Sequence, residues 1–162
     1  MGLKKALFSG IGILLICTLA GCSSGTKSIK KLFHETSVIE MTIQAADDLN
    51  PNRKGRPSPV VIYIYELSDG APFDEADFYS IYDNESETIG AVLLGKLDLE
   101  LSPGETRKLE RTLKAETRHL GILAAYRDID NAKWRASMPM PEHSKIELKL
   151  NLDRLSISLI ED

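Results

Sequence analysis

Val38-Ile39-Glu40-Met41-Thr42-Ile43-Gln44-Ala45 decides the fold class, because Ile39, Met41, Ile43 and Ala45 alternate with Glu40, Thr42 and Gln44. A period of two places the apolar side chains on one face, which is the pattern of a half-buried strand. Val60-Val61-Ile62-Tyr63-Ile64-Tyr65 is apolar on both faces and is expected at the centre of a sheet. Residues 97–101 alternate again. Ser102-Pro103-Gly104-Glu105 reads as a turn, since Pro presets one dihedral and Gly frees the next. Residues 106–113 return as a strand with Leu109 and Leu113 inward. Segments 120–126, 133–138 and 146–150 follow, and 155–160 closes the chain with Leu155, Ile157 and Leu159 on one face.

One stretch departs from this period. Over residues 73–82, Phe73, Ala76, Phe78, Ile81 and Tyr82 recur at helical spacing, and Asp74 and Glu75 fill the first turn, where the helix dipole favours negative charge. Residues 85–94 read as a second short helix. Seven or eight short strands, with a helical insertion between the second and third, define a mainly β chain folded as a two-sheet β-sandwich.

The N-terminus carries a different signal. Lys4 and Lys5 precede an apolar run over residues 8–20, the n-region and h-region of a secretory signal peptide. The run falls short of the roughly 20 apolar residues that a membrane-crossing helix needs. Leu19-Ala20-Gly21-Cys22 resembles the bacterial lipobox, which implies a lipid-modified Cys22 after removal of residues 1–21. Each buried methylene of such chains contributes about 0.8 kcal/mol, so several chains make a stable anchor. Ser23 follows the cysteine where inner-membrane retention commonly has Asp, which points to the outer membrane. Residues 22–37 then read as the lipidated cysteine and a small, polar, basic tether that spans on the order of 20 Å as a flexible coil. Residues 38–162 form the sandwich domain.

Loss of Lys4 and Lys5 with the signal takes the formal net charge from −4 to −6. An acidic domain is a poor partner for nucleic acid. Cys17 leaves with the signal and Cys22 is consumed by lipid, so no intrachain disulfide is expected. No catalytic set emerges. His34, His119 and His143 lack metal-ligand spacing, and Arg127-Asp128-Ile129-Asp130-Asn131 reads as a polar turn, since a calcium loop needs more oxygen ligands in a fixed order. There is no glycine-rich phosphate loop and no nucleophile elbow. Trp134 is expected as a core anchor. The chain is read as a non-enzyme with no metal, no cofactor and no small-molecule substrate.

The segment between the first two strands is the candidate site. Asp47-Asp48-Leu49-Asn50-Pro51-Asn52-Arg53-Lys54-Gly55-Arg56-Pro57-Ser58 is longer than the two to five residues of a hairpin loop. Its prolines stiffen it, which lowers the entropy lost on binding, and arginine forks suit carboxylate partners. A solvated connector is the alternative on the residues alone.

Leu49-Asn50-Pro51, then Gly55-Arg56-Pro57-Ser58-Pro59 running into Val60-Val61-Ile62-Tyr63-Ile64-Tyr65-Glu66-Leu67, resembles the TssJ family, the outer-membrane lipoproteins of type VI secretion systems. Phe73-Asp74-Glu75-Ala76-Asp77-Phe78, Leu101-Ser102-Pro103-Gly104-Glu105, Arg127-Asp128-Ile129 and Trp134-Arg135 continue the likeness in order. The resemblance implies a transthyretin-like sandwich, anchored through Cys22 and facing the periplasm. It also implies docking of the periplasmic C-terminal region of a TssM-like inner-membrane protein by the loop between the first two strands, with Asp48, Leu49, Asn50, Pro51, Asn52, Arg53, Lys54, Gly55 and Arg56 as the contact. Leu49, Arg53, Lys54 and Arg56 are the side chains expected to dominate. A lipoprotein chaperone of another envelope complex, or a periplasmic ligand-binding domain on the same scaffold, remains open at this point.

Overall fold

The computed structural model describes residues 36–162, so the expectations on the signal peptide, Cys22 and most of the tether lie outside the described residues. Eight strands form two four-stranded sheets. One has the order β4-β1-β7-β8, built from Thr106–Thr112, Val38–Ala45, Lys145–Leu152 and Ile157–Glu161. The other has the order β3-β2-β5-β6, built from Leu93–Leu101, Val60–Leu67, His119–Ala124 and Arg135–Pro139. Three short helices, α1 (Ala71–Glu75), α2 (Phe78–Asp83) and α3 (Glu85–Thr88), lie between β2 and β3. The chain is a mainly β, two-sheet sandwich with a helical insertion.

Alternation explains how the sheets close on each other. Ile39, Met41 and Ile43 of β1 and Ile146, Leu148, Leu150 and Leu152 of β7 point inward against Val60, Ile62 and Ile64 of β2 and Leu120 and Ile122 of β5. β2 and β5 are also apolar on their outer face because the insertion covers it. Tyr65, Leu67 and Leu123 pack there against Phe73, Phe78, Ile81 and Ile89. Gly121 permits this approach, since a Cβ at that position would stand 2.9 Å from the Phe73 ring. Trp134 is half-buried between the two clusters and meets Phe78 edge-on, with ring centres 5.4 Å apart.

Two expectations need correction. The helix expected over 73–82 is broken after Glu75: Ala76 is extended, and Asp77 starts α2 by accepting the Ser80 N–H at 2.9 Å. The helix expected over 85–94 ends at Thr88, and Leu93 and Leu94 already belong to β3. The segment after β1, too long for a hairpin loop, joins strands of different sheets, which accounts for its length.

The parallel pairing of β1 with β7 sets the ends of the molecule. Ala45 lies beside Leu152, Val60 opposite Leu101, and Ile62 opposite Ala124. The β1–β2 crossover, the β3–β4 turn, the β5–β6 connection and the β7–β8 turn therefore all emerge at one end. The chain enters at the other end, where Ser37 donates its hydroxyl to the Pro141 carbonyl at 2.8 Å.

Candidate functional site

The crossover of residues 46–59 is ordered by two asparagines with different tasks. Asn50 is 2 % exposed and has φ 45°, a left-handed conformation that Asn tolerates better than most residues. Its Nδ2 donates to the Pro59 carbonyl at 2.6 Å, and its Oδ1 accepts the Arg127 N–H at 2.8 Å. Its own N–H donates to the Arg154 carbonyl at 2.9 Å. One side chain and one peptide thus tie the crossover to the β5–β6 connection and to the β7–β8 turn.

Asn52 shapes the tip. Its Oδ1 accepts the N–H groups of Lys54 and Arg56 at 2.9 and 3.1 Å, and its backbone N–H donates to the Arg56 carbonyl at 2.8 Å. Gly55 supplies the turn with φ 73°, which a side chain would strain. The result is a compact projection with Arg53, Lys54, Gly55 and Arg56 exposed and Pro51 and Asn52 half-buried. Asp48 is exposed at the base, with an oxygen 3.6 Å from an Arg154 nitrogen.

Leu49 behaves differently from the expectation. It is 0 % exposed and belongs to the main core, so its side chain is not presented to a partner. It is the apolar plug that seats the crossover, helped by the Ser58 N–H donating to its carbonyl at 3.0 Å. Of the residues picked from the sequence, the structure brings together Pro51, Asn52, Arg53, Lys54 and Arg56 on an open cleft. Arg127, Asp128, Arg154 and Leu155 line the same cleft, and nothing in the sequence pattern had joined them to the crossover.

The remaining polar features have local tasks. Residues 127–131 lie in the connection between the antiparallel strands β5 and β6, as a polar turn should: Ile129–Asn131 is a 3-10 turn, and Asn131 Nδ2 holds the Asp128 carboxylate at 2.9 and 3.1 Å. Among the described residues, no group of three or more His, Cys, Asp or Glu side chains stands close enough to hold a metal ion. No helix among them is long and apolar enough to cross a membrane.

The fold is thus a β-sandwich with a self-bonded, basic projection at one end. Residues 37–155 match the model of the family described as "Type VI secretion lipoprotein, VasD, EvfM, TssJ". The chain belongs to that family, whose members are structural lipoproteins of a secretion system. The type VI lipoprotein TssJ1 from Pseudomonas aeruginosa has the same fold, with TM-score 0.75 and 35 % identity, covering 78 % of this chain and 97 % of that one. Serratia marcescens Lip, a membrane-bound component of the type VI secretion system, gives TM-score 0.72 at 25 % identity, covering 78 % and 98 %. A chain in a structure of the T6SS protein TssM C-terminal domain (869–1107) from EAEC shares the fold, with TM-score 0.63 at 21 % identity over 76 % and 97 %. No curated protein matched the chain in a sequence search.

Proposed function

We propose that this protein is the outer-membrane lipoprotein of a type VI secretion membrane complex, anchored through Cys22, with its domain in the periplasm. Its β1–β2 crossover docks the periplasmic C-terminal region of a TssM-like inner-membrane protein. The protein then acts as a mechanical link: acyl chains hold one end, and the crossover holds a partner rooted in the other membrane. Membership of the lipoprotein family supports the anchor, and the occurrence of a like-folded chain in a structure of a TssM C-terminal domain supports the partner.

One observation carries the docking reading. The tip of the crossover is fixed by Asn50 and Asn52 before any partner arrives, yet Arg53, Lys54 and Arg56 are left exposed. A preordered contact loses little entropy on binding.

The test is calorimetric titration of residues 23–162 with the periplasmic region of the cognate TssM-like protein. It should be run beside the triple variant Arg53→Ala, Lys54→Ala, Arg56→Ala. Tight binding by the first and marked loss in the second, both folded, is the expected result. Absence of binding by the unaltered domain would overturn the reading.

A further inference from the structure

The basic surface does not stop at the crossover. Arg53, Lys54 and Arg56 share an open cleft of about 990 Å³ with Arg127 of the β5–β6 connection and Arg154 of the β7–β8 turn. Asp128 is the one acidic residue lining it, and its carboxylate is already occupied by Asn131. The chain as a whole carries a formal charge of −4, so this end runs against the balance of the molecule.

Pairing sharpens the contrast. Elsewhere the described cations are mostly satisfied: Lys96 by Glu85, Arg107 by Glu105, Arg111 by Glu66, Arg118 by Glu142, Lys145 by Glu40 and Lys149 by Asp162. Among the described residues, the side chains of Arg53, Lys54, Arg56, Arg127, Lys108 and Lys133 reach no carboxylate and no hydrogen-bond acceptor. The first four of these six line the cleft. Arg154 meets Asp48 only at 3.6 Å, with both side chains more than half exposed. Unpaired like charges held side by side repel one another, and an anionic ligand relieves that repulsion.

We infer that this three-loop cleft is the socket for an acidic segment of the docked partner, and that Asn50 is the residue that gives the socket its shape. The inference rests on the docking reading and gives its chemistry. Asn50 bonds the peptides of both Arg127 and Arg154, so it holds the two loops from which those guanidinium groups project beside the crossover. The cleft is too large for one small anion, and guanidinium forks distributed over three loops match several carboxylates along an extended chain. Position argues against lipid headgroups as the source of negative charge. The chain enters the domain at Ser37 and Val38, and the cleft lies beyond Ala45, about 25 Å away along β1. The socket faces away from the end that leads to the anchor.

The experiment measures the affinity of the full-length protein, solubilised in detergent, for the periplasmic region of the cognate TssM-like partner. The variants are Arg127→Glu/Arg154→Glu, both exposed and outside the crossover, and Lys108→Glu, an unpaired cation away from the cleft. The double variant should weaken binding by at least about tenfold, Lys108→Glu should change it by less than about twofold, and raised ionic strength should weaken the unaltered complex. Tight binding that ignores both salt and the double variant would overturn the acidic socket and leave the docking reading standing. No binding by the unaltered protein would remove both. The Cys22→Ser chain, mixed with phosphatidylglycerol vesicles, should remain unbound. Vesicle binding that depends on Arg127 and Arg154 would assign the cleft to headgroups and overturn the proposal.

Discussion

Glu66 of β2 and Arg111 of β4 form an ion pair between the two sheets, with a carboxylate oxygen 2.6 Å from a guanidinium nitrogen. Glu66 occupies an inward position of the β2 face that also carries Val60, Ile62 and Ile64, so its charge is taken into the sandwich rather than left at the surface. Its second oxygen accepts the Lys114 N–H at 2.9 Å and the Thr117 hydroxyl at 3.2 Å. The carboxylate thereby fastens the β4–β5 connection as well as β4 itself.

The two partners are not equivalent to removal. The Glu66 side chain is 2 % exposed and that of Arg111 is 29 % exposed. Arg111→Ala strands a buried carboxylate and should cost about 3–5 kcal/mol. Glu66→Gln leaves a neutral amide and an arginine that can turn to water, and should cost about 1–3 kcal/mol. Urea unfolding of the two variants checks the order. A smaller loss for Arg111→Ala would show that the pair is not the buried-charge device described.

Tyr126 links the β5–β6 connection to the β7–β8 turn. Its hydroxyl donates to the Ser156 carbonyl at 2.7 Å and lies 3.2 Å from that of Asp153. Burial first, and the Asp153 charge second, push its ionisation upward. Burial first, and then Glu85, do the same to Tyr65. The unfolded chain ionises its tyrosines near pH 10, below the folded values, so the folded state keeps protons that the unfolded state releases. Stability from these groups is complete below about pH 10 and falls as pH rises beyond it. Urea midpoints measured from about pH 8 to about pH 11 should show that fall, and Tyr65→Phe/Tyr126→Phe should flatten it. An identical slope in the double variant would remove the explanation.

Leu49 and the tip cations are expected to separate stability from binding. Leu49→Ala opens a cavity in the main core and should cost about 2–5 kcal/mol of stability. Arg53→Ala, Lys54→Ala and Arg56→Ala remove exposed side chains without ion pairs, and each should stay within about 0.5 kcal/mol of the unaltered protein. Thermal unfolding with partner titration on the same samples tests the division. Leu49→Ala that unfolds normally but binds poorly would return Leu49 to the contact surface.

The sequence exposed features carried by local pattern and concealed those made by tertiary arrangement. The alternation in β1 and the two apolar faces of β2 were legible because each reports on burial one residue at a time. The parallel partnership of β1 with β7 was not, since it joins Val38 to Lys145 and leaves no mark in either strand. That pairing brings the crossover beside Arg154, so the full cleft was hidden for the same reason. Leu49 was misassigned because one apolar residue in a polar, proline-rich stretch shows no period. Gly90 was a visible sign that the helix starting at Glu85 stops early. The break at Ala76 was masked by Asp77, whose charge fits a continuing first turn as well as a new cap.

The anchor proposal leads to the last prediction, which concerns place rather than affinity. If Cys22 carries the acyl chains, Cys22→Ser leaves residues 36–162 chemically unaltered while removing what holds the protein to the membrane. Several acyl chains contribute about 0.8 kcal/mol for every buried methylene, and no basic tether replaces that sum. The variant domain should therefore fold, bind the partner region in solution as well as the unaltered domain does, and yet fail to support secretion. Fractionation with a secretion assay makes the measurement. A Cys22→Ser protein recovered free in the periplasm with secretion at its full level would show that docking alone suffices, and would end the idea of a load-transmitting link between two membranes.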